Sequence, residues 1–467
     1  MRWPGTDFVT RPTTAVPLLW SAAFTVALAV AYGPQQWPLV DLYGFFDQAQ
    51  TLDWSRTVAD AFGRGREYRP LHVLLVKLLY DMGGLHLWFY KTLVLLQFTA
   101  ILATLVWILR PTDWRRCVSV VVALGCVAGL HSSQILLGLL PGHSYSLVTL
   151  LVLTMAALAL EPRMKAAGWL FLPLTLMALL LWELGILAPA VVTALWLARA
   201  PGVSRTGVGA TWAAVAIYAG IRLLVGNQSD AFQWVESGLG FHDASQGELG
   251  ETFANAPYLF AIYNLAASTL TVLFSEPRAG KYKFLESLLH GNTPVWLWFH
   301  VISSTVTTLV VASLLFLRRR CSSRDVHLLA VGLTLMAGGS ALGFLYTRDR
   351  IAVLVGIGYA ILLCVALAVL WERLARRRWG RWLATATAVV LASAWTIRDA
   401  ETWFRVRDTA WETYIEWTDR YEGLGGHTRP QTPLLLQLRA AALDNAPDDP
   451  RDDPDWTYTI FERGTAR

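Results

Sequence analysis

Hydrophobic and polar positions alternate along this chain in long blocks. Apolar runs cover about 16–33, 85–109, 117–137, 144–160, 166–182, 184–198, 207–225, 294–317, 326–346, 350–373 and 381–397. Each approaches or exceeds the roughly 17 residues that a helix needs to cross hydrocarbon. The pattern predicts an all-α polytopic membrane protein with about eleven transmembrane helices. Ala256 to Phe274 is also apolar, but a crossing there would move the Arg318–Arg320 cluster to the wrong side, so it is expected to be interfacial or re-entrant.

Between the first two runs the pattern changes period. Leu42, Phe45, Phe46, Ala49 and Leu52 recur at helical spacing, with Asp41, Gln48 and Asp53 largely off that stripe, as in a helix lying on a membrane surface. Asp53 is placed to cap a second short helix, Trp54 to Phe62, that stops at Gly63. Arg64, Arg66 and Arg69 then fall in a turn before Pro70. Amphipathic helices are thus expected in the first large loop, residues 34–84.

Composition agrees with this class. The 467 residues are 55% hydrophobic and 16% charged, with a mean hydropathy of +0.42, which a soluble protein of this size rarely shows. The 22 tryptophans suit interfacial belts. A net charge of +5 does not imply nucleic acid, because the arginines gather in short loops and follow the positive-inside rule. Loops carrying Arg115 and Arg116, Arg163 and Lys165, Arg199 and Arg205, Arg318 to Arg320, and Arg376 to Arg378 all fall on one side. That places the N-terminus in the cytoplasm and the C-terminus outside. The first run follows Arg2 and Arg11 and lacks a small-residue cleavage site, so a retained helix is expected.

The chain divides into a transmembrane domain, 1–397, and an extracytoplasmic helical tail, 398–467, that holds the acidic linker PDDPRDDPD. The large outer loops are 34–84 and 226–293. Cys117, Cys126, Cys321 and Cys364 lie in spans or at cytoplasmic ends, so no disulfide framework is suggested. No phosphate-binding glycine loop, nucleophile elbow or HExxH is present. His131 and His143 stand 12 residues apart around a Pro-Gly turn, a poor metal spacing; Asp41, Asp47 and Glu183 would suit a divalent ion only if the fold joined them.

Several stations follow one another in an order that resembles a known family. Asp41 opens the first outer loop, the helix from Trp54 follows, and Arg69-Pro70-Leu71 precedes a short helix ending at Gly83-Gly84-Leu85 and leading to Tyr90. HSSQILLGLLPGHSYSLVTLL, residues 131–151, gives a histidine-led outer segment, and Trp182-Glu183 stands at the junction of two middle spans. YTRDRIAVLVGIGYAILL, residues 346–363, opens a late apolar helix, and ETWFRVRDTAWETYIEWTDRYE, residues 401–422, follows the last span. This order resembles the GT-C superfamily of membrane glycosyltransferases, most closely the O-mannosyltransferase-like branch with tetratricopeptide tails. Two departures stand out. The family's lysine before the acid is Trp182 here, and the tyrosine expected directly after Arg348 is absent, with Tyr346 before it.

The resemblance implies a sugar donor linked to a polyprenyl phosphate and an acceptor protein, glycan or lipid at the outer face of the plasma (inner) membrane. Asp41 would be the general base of an inverting transfer. Arg69 and Arg348, supported by Arg350 or His72, would hold the departing phosphate, since a guanidinium makes paired charge-assisted bonds to phosphate oxygens. Asp47, His131, His143, Glu183 and Tyr346 would line the substrate pocket. Phosphate leaves without a proton, so no second carboxylate is required as acid. No cofactor is implied with certainty beyond the donor itself, and a divalent metal is left open. Two competing classes remain: a transporter or lipid flippase for envelope precursors, and a catalytically silent GT-C-like scaffold.

Overall fold

The computed structural model describes residues 12–32, 43–63, 68–137, 141–226, 257–274, 283–291, 293–317, 321–342 and 352–418, with 436, 437 and 440. Asp41, Tyr346, Arg348 and Arg350 lie outside the described residues, as do most of the 226–293 loop and nearly all of the chain after 418. The described residues form helices joined by turns, with no strand among them.

Four helices precede the main bundle or begin it: α1 (Pro12–Tyr32), α2 (Tyr43–Thr51), α3 (Trp54–Gly63) and α4 (Pro70–Gly83). Asp53 starts α3 as expected. Its carboxylate accepts from the Arg56 backbone N–H and the Ser55 hydroxyl, each at 2.8 Å, and these bonds hold its pKa below the ordinary aspartate value. Both short helices pack on α4, and Lys77 ties α4 to α2 through the Ala49 carbonyl at 2.9 Å.

The bundle continues with α5 (Leu87–Leu109), α6 (Trp114–Gly129), a 3₁₀ turn at His131–Ser133, α7 (Gln134–Leu137) and α8 (Pro141–Ala159). After a 3₁₀ stretch at Pro162–Leu170 come α9 (Phe171–Leu181), a 3₁₀ turn at Glu183–Ile186, α10 (Leu187–Leu197) and α11 (Arg205–Gly226). Next are α12 (Pro257–Phe274), α13 (Lys283–Leu289), α14 (Val295–Ala312) and α15 (Leu314–Leu317). Last come α16 (Ser323–Ala341), α17 (Val353–Leu374) and α18 (Arg378–Thr418).

α17 is the axis of this bundle. Its apolar window is 94% buried, whereas that of peripheral α11 is 17% buried, so α11 turns its apolar side chains outward. Such outward apolar faces are what lipid contact requires. α16 crosses α17 closely because glycines face each other: a Cβ on Gly358 would meet the Gly332 carbonyl at 2.6 Å.

Six stretches among the described residues are long and apolar enough to cross a membrane: Pro12–Val30, Trp88–Leu109, Pro162–Leu181, Arg205–Val225, Val295–Leu317 and Val353–Leu374. The other five expected spans are helical too, but differ in form. α6 stops at Gly129, ahead of the 131–133 turn; His143–Ala159 and Glu183–Leu197 are shorter; α16 ends at Ala341; and the 381–397 run is only part of the 41-residue α18.

The basic loops meet at one end of the bundle. Arg110 pairs with Glu161, Arg116 with Asp325 (3.1 Å) and Glu372 (3.6 Å), and Arg324 bonds the Ile108 carbonyl. α12 enters from the opposite end. Its Thr269 bonds Ser340, and its Leu273 carbonyl accepts from Thr308, which also bonds Tyr359 near the start of α17. α17 runs on to Leu374, about 22 Å further, so α12 stops well short of the bundle's full length.

The boundary expected at 397/398 falls inside an unbroken helix. α18 passes it with Arg398, Asp399, Glu401 and Thr402 all buried against the bundle. Gly125 and Gly129 of α6 form the seat: a Cβ on Gly129 would lie 2.9 Å from Arg398 Cβ and 3.1 Å from an Asp399 oxygen.

Candidate functional site

The site is built where helices begin and break. Arg69 is the N-cap residue of α4, with Pro70 in the first helical position, where a missing N–H costs nothing. Trp182 is extended (φ −163°, ψ 146°) and interrupts α9 before the 183–186 turn. That turn folds back so tightly that a Cβ on Gly185 would sit 2.5 Å from the Ala178 carbonyl carbon, which only glycine avoids. The break lifts Glu183 out of a helix ladder and aims it at α4 and α11.

Arg69 Nε donates to Glu183 Oε2 at 2.8 Å, with both side chains about nine-tenths buried. Arg222 Nη1, near the end of α11, lies 3.8 Å from Glu183 Oε1, an ionic contact longer than a hydrogen bond; Oε1 accepts none from the described residues. Arg222 also reaches the Tyr218 hydroxyl at 3.4 Å, and that hydroxyl donates to the Tyr68 carbonyl at 3.1 Å. The path thereby returns to the backbone beside Arg69. A closed ring of contacts, Arg69–Glu183–Arg222–Tyr218–Tyr68, joins α4, the broken helix and α11.

Aromatic rings and one histidine floor this ring. The Arg69 guanidinium carbon stands 3.7 Å from the centre of the Trp182 ring, a cation–π contact. His72 meets the same indole edge-on at 5.4 Å, and Tyr145 lies 4.4 Å from it. His72 Nδ1 is 2.7 Å from Ser144 Oγ, both buried. Trp182 therefore presents a flat surface on which a cation from another element rests.

Of the expected phosphate-binding residues, Arg69 and His72 come together here, and of the expected pocket residues, Glu183 joins them. His143 is next to Ser144 on α8 but turns toward α5, with Nδ1 3.0 Å from Gln97 Oε1. His131 belongs to a turn packed against α6, α7 and α17. Asp47 lies on α2, its side chain outside the described set. Among the described residues no group of three His, Cys, Asp or Glu side chains is arranged to hold a metal ion.

Arg222, Tyr218, Tyr68 and Ser144 were not singled out in the sequence. Arg222 carried a signal nonetheless, as a charged side chain near the end of an otherwise apolar helix. The chain matches no protein-family model, no curated protein and no solved structure.

Proposed function

We propose that this chain is a membrane glycosyltransferase that moves a sugar from a polyprenyl-phosphate donor to an acceptor at the extracytoplasmic face, on a GT-C-like frame of about eleven crossings. The observation that carries the reading is the convergence of two guanidiniums, buried Arg69 and partly buried Arg222, on one carboxylate beside an indole face. Buried arginines in a membrane protein are expensive and mark ligand paths, and guanidinium forks match phosphate oxygens. The pair lies at the bundle end opposite the basic loops, which the positive-inside rule assigns to the outside.

In this reading the acceptor hydroxyl attacks the anomeric carbon from the face opposite the phosphate. The new C–O bond forms as the carbon–phosphate oxygen bond breaks, its electron pair stays on the phosphate oxygen, and Asp41 takes the acceptor's proton. The configuration inverts. Arg69 and Arg222 stabilise the charge that grows on the leaving phosphate, with Arg348, Arg350 and His72 as further donors. Lipid, donor and acceptor are the partners; no nucleic acid enters.

Transfer from a radiolabelled polyprenyl-phosphate sugar, compared in wild-type and Asp41→Asn membranes, tests the assignment of the base. The near-isosteric amide is expected to lower transfer by a factor of about 10² to 10⁴ with donor binding retained. Unchanged transfer would return Asp41 to a structural role.

A further inference from the structure

We infer that Glu183 sets the charge preference of the arginine pair: its carboxylate lets the site accept a phosphodiester monoanion and disfavours the phosphomonoester dianion that sugar transfer releases. This inference rests on the phosphate reading above and deepens it. Glu183 stays within the clamp itself, 2.8 Å from Arg69 and 3.8 Å from Arg222, so any phosphate that bridges the two guanidiniums must share them with a fixed negative charge. Its Oε1 is buried, faces Arg222 at 3.8 Å and accepts no hydrogen bond from the described residues, so its charge is held toward the guanidinium pair without a donor to spread it.

Before transfer, the phosphate carries the lipid on one oxygen and the sugar on another, and so bears one negative charge. After transfer the sugar oxygen is free, and with a second pKa near 6 the monoester bears nearly two charges at neutral pH. Repulsion from Glu183 therefore about doubles on going from donor to product. Placed elsewhere, this acid would add nothing to the exchange. Placed between the arginines, it weakens the hold on the spent carrier more than the hold on the donor, so product leaves and the next donor enters. The break at Trp182 and the glycine at 185 keep the carboxylate there and prevent it from swinging along a helix face.

The test uses the full chain in detergent at pH 7.5, with farnesyl phosphate as the monoester and its methyl diester as the monoanion; farnesol and inorganic phosphate separate the contributions of lipid and phosphate. Wild type is expected to bind the diester at least as well as the monoester. Glu183→Gln is expected to tighten the monoester about tenfold and the diester clearly less, so that their order reverses. Thermal unfolding of the variant with and without farnesyl phosphate supplies a second readout: the ligand should raise its Tm more than it raises that of the wild type. Should the variant fail to fold, Arg222→Gln replaces it, with both ligands expected to weaken about tenfold.

Equal effects of Glu183→Gln on monoester and diester, or weaker monoester binding, would overturn the inference and leave the phosphate site standing. Unchanged binding in Arg222→Gln would overturn it as well. Binding of neither phosphate ligand to the wild type would remove the phosphate reading and this inference with it.

Discussion

Glu183 is affordable at its depth because Arg69 reaches it from another element and Trp182 holds the guanidinium flat. Deleting one member of a buried pair typically costs 3–5 kcal/mol, because the other charge remains unpaired, so the pair is more informative about position than about net stability. Tyr218 matters for the same reason. Its hydroxyl joins the Arg222 side of the site to the backbone carbonyl next to Arg69. Tyr218→Phe removes that joint and keeps the tilted ring contact with Tyr68. Thermal stability is expected to fall by only ~1 kcal/mol, while transfer drops about tenfold through misplaced arginines. Equal transfer in the variant and the wild type would show that the hydroxyl plays no positioning part.

The helices themselves were largely readable from apolar periodicity, and Asp53, Pro70 and the Trp182-Glu183 junction marked several true starts and breaks. Contacts across the chain were not readable. Arg69, Glu183 and Arg222 are far apart in sequence, and no local pattern says which apolar helix turns an arginine inward. Arg398, Asp399 and Glu401 look like a polar exit from the membrane in the sequence, yet they are buried: Arg398 bonds Ser304 at 2.8 Å and Glu401 pairs with His300. The signal that locates them is Gly125 and Gly129, four apart on α6, whose missing side chains admit α18. Gly129→Leu is expected to push α18 off this seat and lower Tm or folded yield by an amount typical of core overpacking, about 1–3 kcal/mol. Gly63→Leu is the control, since a Cβ at Gly63 meets nothing among the described residues. Equal behaviour of the two variants would contradict the close seat.

Viewed from end to end, the bundle has two chemical faces. One is tied by arginine–carboxylate pairs between Arg110, Arg116, Glu161, Asp325 and Glu372; the other carries α2, α3, the site and the incoming α12. With the basic loops cytoplasmic, a single cysteine at Ser55, on α3, should react with an impermeant thiol reagent added to intact cells, and one at Lys165 only after permeabilisation. The opposite labelling would invert the protein and place the site on the cytoplasmic side.

The account stands most directly on sugar transfer itself. Membranes with and without the chain, and with Arg69→Gln plus Arg222→Gln, should be given a panel of radiolabelled polyprenyl-phosphate sugars. The wild type is expected to release polyprenyl phosphate and to form a labelled product of inverted anomeric configuration from at least one donor. The double variant should lose that product. Absence of any chain-dependent transfer across the panel, or full transfer by the double variant, would contradict the account.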